Sequence, residues 1–325
     1  MPPLKLFRLQ MTLRAPLGTP MNSGTLFGQL CWIKRESEGE AALVAWLAER
    51  ETVWALSDGF PRGLLPRPLL APFPRPEEPG AADAHKQQKK LGFVTREGFL
   101  KQRARLSAIK LAGELRGIND RTFRISHNTI DRKTGSTPET GGLFFLEEDW
   151  SHASPNRVDP KPLEANMLEA GAERDIYIDA PDGSQSAIKM LFKGLGEAGF
   201  GRDASLGRGQ WDNVIVKEDH ELAAMPPASK GAPLMLRHMS LSHGTAEGFV
   251  DMRCRLMAHY GKTGPGVSVG ASPFKRPLLL ARPGATFAKA NGARTGEIIA
   301  GVHRTRAEII HNGLHVCVPF YEEAP

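Results

Sequence analysis

The stretch Gly199–Trp211, GFGRDASLGRGQW, holds four glycines (Gly199, Gly201, Gly207 and Gly209) beside Arg202, Asp203, Ser205 and Arg208. Glycine lets the backbone take positive φ and lets another molecule approach the main chain closely. Arginine adds a planar fork that grips phosphate or stacks on a base. Upstream, Gln185–Leu195 carries Ile188, Leu191, Phe192 and Leu195 at helical spacing; downstream, Trp211, Val214 and Val216 read as a strand. A glycine–arginine loop between a helix and a strand suits an extended polyanion, RNA first, better than a small metabolite. No Gly-Lys-Ser or Gly-Lys-Thr ending makes it a P-loop. A dinucleotide fingerprint opens a helix after a strand, whereas these glycines follow a helix. Composition alone would make it a structural turn.

The remaining chemistry-bearing residues are scattered. His127 beside Asn128 lies in a predicted hairpin with no acid–base partner next to it, which suits a surface or RNA-contacting residue. His303, His311 and His315 are the nearest thing to a metal cluster, yet no carboxylate or cysteine stands close enough in sequence to complete a site. They read as structural, and no metal is expected. Asp131 with Arg132 and Asp203 with Arg202 are adjacent acid–base pairs. The two carboxylates would bind magnesium only if the fold joined them; Asp203 is expected instead to accept backbone amides of its own loop. Phe144, Phe145 and Trp150 either stack on bases or pack the hairpin onto the domain. Lys86, Lys89, Lys90, Arg96, Lys101, Arg103, Arg105 and Lys110 form a basic cluster that suits a solvated helix face and a nucleic-acid contact equally.

Positioning these residues requires a succession of elements. Leu4–Leu13 is apolar on both faces and reads as a buried strand. A helix N-capped by Ser23 carries Leu26, Phe27, Leu30 and Ile33 inward, and a second covers Ala41–Arg50. Thr52–Leu56 is a short strand. Seven prolines from Pro61 to Pro79 then forbid regular structure. Residues 85–115 look helical and basic, Thr122–Ile130 and Gly142–Glu147 pair as strands, and Ser151–Met167 is loop. With Glu173–Asp179, the Gln185–Leu195 helix and the Trp211 strand, the skeleton is β-α-β-β-α-β, the ferredoxin-like order interrupted by a long insertion. After the Pro/Ala-rich Ala223–Ala232, the segments Leu234–Leu241, Phe249–Met257, Pro277–Leu280, Ile298–Val302 and Gly313–Phe320 read mostly as strands.

Composition bounds the function. The chain has 325 residues, 41% hydrophobic, enough for one large domain or two modest ones. A net charge of +6 permits nucleic-acid binding without demanding it. No stretch has the length of a membrane span, and MPPLKLFRLQ lacks the apolar region of a signal peptide. Cys31, Cys254 and Cys317 are far apart without a C-x-x-C pair, so a reducing cytoplasm is expected.

The combined string Gly-Phe-Gly, Asp-x-Ser, Gly-x-Gly and an aromatic residue resembles the glycine-rich loop of the RAMP superfamily of CRISPR proteins. SGTLFGQLCW (Ser23–Trp32) is similar to the family's first helix, and ALSDGFPRGLLPRPLL (Ala55–Leu70) to its second strand and the Pro-rich stretch after it. HNTIDRKTGSTPETGGLFF (His127–Phe145) resembles an inserted hairpin of one subgroup. Together they resemble subunit four of the type III-A (Csm) effector complex, from about residue 4 to Phe320. The resemblance implies an α+β protein of tandem ferredoxin-like domains. The first would be residues 1–222, with an insertion over about 61–172 and the glycine-rich loop at 199–210; the second, degenerate and mostly β, would be residues 233–325. It implies a non-catalytic subunit that grips the 5′ repeat-derived tag of a CRISPR RNA. The subunit would also dock a polymerase-like large subunit and a backbone RAMP subunit, without cofactor or membrane. Gly199, Gly201, Arg202, Ser205, Gly207, Arg208, Gly209, His127 and Arg132 are its candidate RNA contacts. The alternative is a CRISPR RNA-processing endoribonuclease, because metal-independent members of the superfamily use a histidine as general acid or base; His127 would be that histidine.

Overall fold

The computed structural model describes residues 3–71, 88, 90–119, 121–153, 164–227, 233–264, 272–290 and 294–323. Pro72, Pro74, Pro76, Pro79, Lys86 and Lys89 lie outside them.

Strand β1 (Leu4–Leu13) buries Phe7, Leu9, Met11 and Leu13 on one face; on the other Leu6 is buried but Arg8, Gln10 and Thr12 are half-buried, so the second face is not the apolar one expected. Helix α1 (Ser23–Glu38) follows, burying Leu26, Phe27 and Leu30. Its N-cap is Asn22, not Ser23. Ser23 is buried, and its amide donates to Asp58 Oδ1 at 2.9 Å. A carboxylate from a distant loop thus neutralises the helix start, where the dipole favours negative charge. Helix α2 (Glu40–Ala48) leads to the short β2 (Ala55–Leu56) and β3 (Phe60–Pro61).

The insertion holds the expected hairpin, but residues 85–115 carry strand as well as the helix expected there. Strands β4 (Leu64–Pro66) and β5 (Phe93–Thr95) precede two short helices, α3 (Arg96–Gln102) and α4 (Ala108–Leu111). Strands β6 (Leu115–Asn119), β7 (Thr122–Asn128), β8 (Leu143–Asp149) and β9 (Met167–Glu169) complete it. The order β4-β5-β6-β9 forms a four-stranded sheet that buries Leu65, Val94 and Leu115. Lysine and arginine dominate residues 85–115 by count, but the apolar Phe93-Val94-Thr95 triplet sets the local structure. The Thr95 side chain accepts the Gly98 amide and starts α3.

The chain returns through β10 (Glu173–Pro181), helix α5 (Gln185–Ala198), β11 (Trp211–Glu218) and the single turn α6 (His220–Ala223). The antiparallel sheet β11-β1-β10-β2, with α1 and α5 between its strands in sequence, has the β-α-β-β-α-β connectivity read from the sequence.

The remainder is β12 (Leu234–Ser240), β13 (Phe249–Val250), β14 (Leu256–His259), β15 (Leu278–Ala281), β16 (Thr286–Phe287), β17 (Lys289–Ala290), β18 (Gly296–Ile299), β19 (His311–Leu314) and β20 (Cys317–Glu323). Strand β12 sits between β16 and β20; the others pair as β13-β17, β14-β15 and β18-β19. From residue 233 to 323 no described residue is in an α-helix. This half shares the apolar cluster of the first, because Leu241, Val316, Val318 and Phe320 pack with Leu26, Leu56 and Ile178. Strand β20 also ties the insertion: Leu106 N donates to Tyr321 O at 2.7 Å, and Glu323 N to Leu106 O at 2.9 Å. No helix among the described residues is long and apolar enough to cross a membrane.

Candidate nucleic-acid interface

Helix α5 ends because Gly199 takes φ 88° while its amide closes on Leu195 O at 2.9 Å. The loop base is shut by Phe200 N donating to Gly209 O (2.9 Å) and Gly209 N to Pro16 O (2.8 Å). A Cβ on Gly209 would stand 2.1 Å from the Phe200 carbonyl oxygen. Gly201 presses against Thr19, whose Oγ1 accepts the Arg202 amide at 2.9 Å, and its own amide donates to Gln29 Oε1 on α1. Gly207 differs. It has φ 82° but open space where a Cβ would sit, at the end of the exposed turn Ala204–Leu206. Ser205 is exposed on that turn, and Leu206 is 70% exposed.

Asp203 does not bind its own loop's amides, the role expected of it. Its side chain caps nothing; it adopts the left-handed region, which Asp tolerates. Its carbonyl accepts from Leu206 N and Arg208 N, and its carboxylate takes Arg202 Nε at 3.1 Å.

Both loop arginines reach the inserted hairpin. Arg202 Nη2 donates to Glu147 O at 2.8 Å. Arg208 Nε pairs with Glu148 Oε1 at 2.9 Å, and its guanidinium lies 5.9 Å over the Trp150 ring. The Glu148 side chain is fully buried, with its second oxygen accepting from Trp150 Nε1 at 3.1 Å. Glu148 is thus the hub of the contact. Its sequence sign was an acid set between Phe144-Phe145 and Trp150, meaningful only once β8 has been placed beside the loop.

The hairpin β7/β8 pairs Thr122 with Asp149 through Asn128 with Leu143. A lone two-stranded hairpin is marginal in water; the arginine contacts and the reciprocal Leu17–Asp149 backbone bonds hold this one. Phe123, Ile125 and His127 share one face with Glu148, Leu146 and Phe144, and that face meets the glycine loop. The opposite face exposes Leu143 and Phe145 (58%), with Arg124 lying 5.2 Å over the Phe145 ring. Arg132 is exposed in the turn closed by Asp131 N and Ser136 O, far along the hairpin from the loop.

His127, read as solitary, is not. It stacks on Phe144 at 5.4 Å, and its ligand atom lies within 4.8 Å of those of Glu148 and Asp203. Residues 21 and 76 positions away in sequence are joined here, which spacing alone does not reveal. His127 Nε2 is buried without a hydrogen-bond partner. This trio is the grouping that has metal-ligand proximity among the described residues. Each carboxylate, however, already carries a guanidinium, so a divalent ion there would compete with Arg202 and Arg208 for their charge. Asp131 does not join it; its carboxylate caps the Lys133 amide.

His303, His311 and His315 do not form one site. His303 Nε2 donates to Ser272 O (2.8 Å), and His315 bridges Ser240 Oγ (2.6 Å) and Thr245 O (2.8 Å). His311 lies 5.1 Å from the His259 ring. Burial pushes His315 down to about 4; burial, helped by neighbouring His259 and Lys275, pushes His311 down to about 3. Both are neutral core residues.

The basic cluster also turns inward. Arg96 binds Asp219 and Glu221, Arg103 donates to Glu221 O and Leu222 O, and Arg105 and Lys110 share Glu323. Lys90 and Lys101 remain exposed.

No protein-family model matches the chain, and no curated protein sequence does. Solved structures do match it along its whole length. A chain of the Csm1-Csm4 cassette in complex with pppApA superposes with TM-score 0.55 at 14% identity, covering 99% of both chains. The cassette in complex with AMPPNP gives 0.56 at 14%, covering 99% of this chain and 100% of the other. A chain of the Csm3-Csm4 subcomplex of the type III-A CRISPR-Cas interference complex gives 0.52 at 14%, covering 97% and 99%. The subunit common to these assemblies decides the comparison. The fold is that of Csm4. The match spans nearly the whole of both chains.

Proposed function

We propose that this chain is a non-catalytic RNA-binding subunit of a type III CRISPR ribonucleoprotein in the prokaryotic cytoplasm. It grips the 5′ repeat-derived tag of the CRISPR RNA and docks a polymerase-like large subunit and a backbone RAMP subunit. The observation that carries this reading is the end-to-end Csm4 fold, found in assemblies with two different partners. The fold reads as a RAMP protein with residues 1–222 as a ferredoxin-like domain and residues 233–325 as its degenerate, helix-poor counterpart. The exposed turn Ser205–Gly207 and the outer hairpin face with Arg124, Phe145 and Arg132 supply the backbone access, cation and stacking surfaces that single-stranded RNA uses. Arg202 and Arg208 fix that surface.

The grouping of His127 with two carboxylates favours a second reading, the processing endoribonuclease. Geometry weighs against it. Glu148 is sealed beneath Arg208 and Trp150, and His127 Nε2 is buried beside the stacked Phe144 ring, which leaves neither of these atoms open to a ribose hydroxyl. The test is cleavage of a labelled repeat RNA by the purified chain, with and without magnesium, alongside reconstitution with the two partner subunits. Stable assembly without cleavage is expected. Site-specific cleavage abolished by His127→Ala would establish the enzyme instead.

A further inference from the structure

The C-terminal half contains a cavity of about 350 Å³ lined by Tyr260, Ser272, Phe274, Lys275, Arg276, Pro277 and Arg304. Its volume is at the lower end of the range for small-ligand sites. It lies beyond the β14/β15 pair, where the two strands run on as a looser ribbon: Lys262 bridges Phe274, and Thr263 N donates to Pro273 O at 2.8 Å. The ribbon rests on α1, because Gly264 lies against the Trp32 ring.

The lining is unusual in three respects. It contains three cationic side chains and no carboxylate. Tyr260 and Phe274 are 70% and 54% exposed, an expensive display of aromatic surface for a chain that buries most of its large apolar residues. Arg276 and Arg304 are exposed, and neither side chain has an ion-pair or hydrogen-bond partner among the described residues. The Arg276 backbone is nonetheless fixed by its amide's 2.6 Å bond to Val302 O, and Lys275 is braced by Ile310 O at 2.8 Å. Lys262 lies 5.2 Å over the Phe274 ring, so a cation already uses one face of that aromatic.

We infer that this pocket binds a nucleoside phosphate, with the base against Tyr260 or Phe274 and the phosphate held by Arg276 and Arg304. Unpaired guanidinium forks match phosphate oxygens, and aromatic rings beside them accept any base by stacking. An acidic peptide would be held by the arginines but would leave the two rings without a use. The nucleotide has two sources, a free mononucleotide or one residue of an RNA strand. With a strand as its source the inference deepens the proposed RNA-binding reading and rests on it; with a free mononucleotide it goes beyond it.

The experiment measures binding of the full-length isolated chain to AMP, to inorganic phosphate, to a labelled eight-nucleotide RNA and to a poly-glutamate peptide. It compares wild type with Tyr260→Ala and with Arg276→Ser/Arg304→Ser, checking thermal stability in each. These side chains are exposed, so melting should not move. Tyr260→Ala should weaken RNA or AMP by about tenfold. The arginine pair, which holds one phosphate, should flatten the salt dependence of RNA binding by roughly 0.7 log units. Tight RNA with weak AMP assigns the pocket to a strand; AMP as tight as RNA assigns it to the free nucleotide. Unchanged affinity and slope in both variants overturn the inference, whether or not the chain assembles with its partners. So does poly-glutamate binding that equals RNA and ignores Tyr260→Ala.

Discussion

The glycine loop and the C-terminal pocket both display arginine, but they commit its charge in opposite ways. Arg202 and Arg208 are neutralised by Asp203 and Glu148 and spend their reach on the inserted hairpin. Arg276 and Arg304 have no acidic neighbour in the lining. A conspicuous motif can therefore be an internal joint, while unpaired cations lie scattered where no motif marks them. Density of charge in sequence says little about availability of charge in space.

The largest test of this contrast is Gly209→Val. The new side chain would meet the Phe200 carbonyl at 2.1 Å in a backbone held at φ 68°. A loss of about 5 kcal/mol or failure to fold is expected on thermal denaturation. Gly207→Val, with open space around it, should lose only about 1–2 kcal/mol from its positive φ. Equal losses would mean that the loop's glycines share one role.

Acid should separate the two halves next. The His315 and His311 pKa values are depressed to about 4 and about 3, so the folded state binds fewer protons than the unfolded chain below pH 6.5. Their contribution is complete above pH 6.5 and lost as pH falls toward those values. Between pH 7.5 and pH 5 the loss should be about 2–4 kcal/mol. Amide exchange should show β19 and the start of β20 loosening before the glycine loop; simultaneous opening would mean one cooperative unit.

Arg208→Ala is the smallest effect and the sharpest. Removing it leaves the buried Glu148 carboxylate without its cation, costing about 1–3 kcal/mol because Arg208 itself is partly exposed. Arg208→Ala/Glu148→Leu should recover most of that. If melting is unchanged while the RNA salt slope falls by about 0.7, Arg208 is a phosphate clamp and the contrast fails.

Much of the scaffold was legible because it rests on periodicity. The α5 residues Ile188, Leu191, Phe192 and Leu195 are buried as their spacing requires, and β1 buries the apolar face of Phe7, Leu9, Met11 and Leu13. The insertion was misjudged where charge count outweighed a short β-forming triplet, Phe93-Val94-Thr95. The site was legible only as a list. That His127 would meet Glu148 and Asp203 depends on how a hairpin leans against a loop 76 residues later, which no local pattern encodes. The pocket escaped for the same reason, since Tyr260, Arg276 and Arg304 come from three separate segments.

Strand β20 has a consequence for the protein's synthesis. Leu106 and Arg103 exchange backbone bonds with Tyr321, and Phe99 meets Phe320 edge-on at 6.2 Å. Tyr321 lies 215 positions after Leu106, a stretch that takes on the order of 10–40 s to emerge at ~5–20 residues per second. Throughout that interval Phe99 and Leu106 have no strand to close over them. Until β20 leaves the ribosome a nascent chain of this protein exposes that apolar surface, so crowded translation should make it aggregate at that stage.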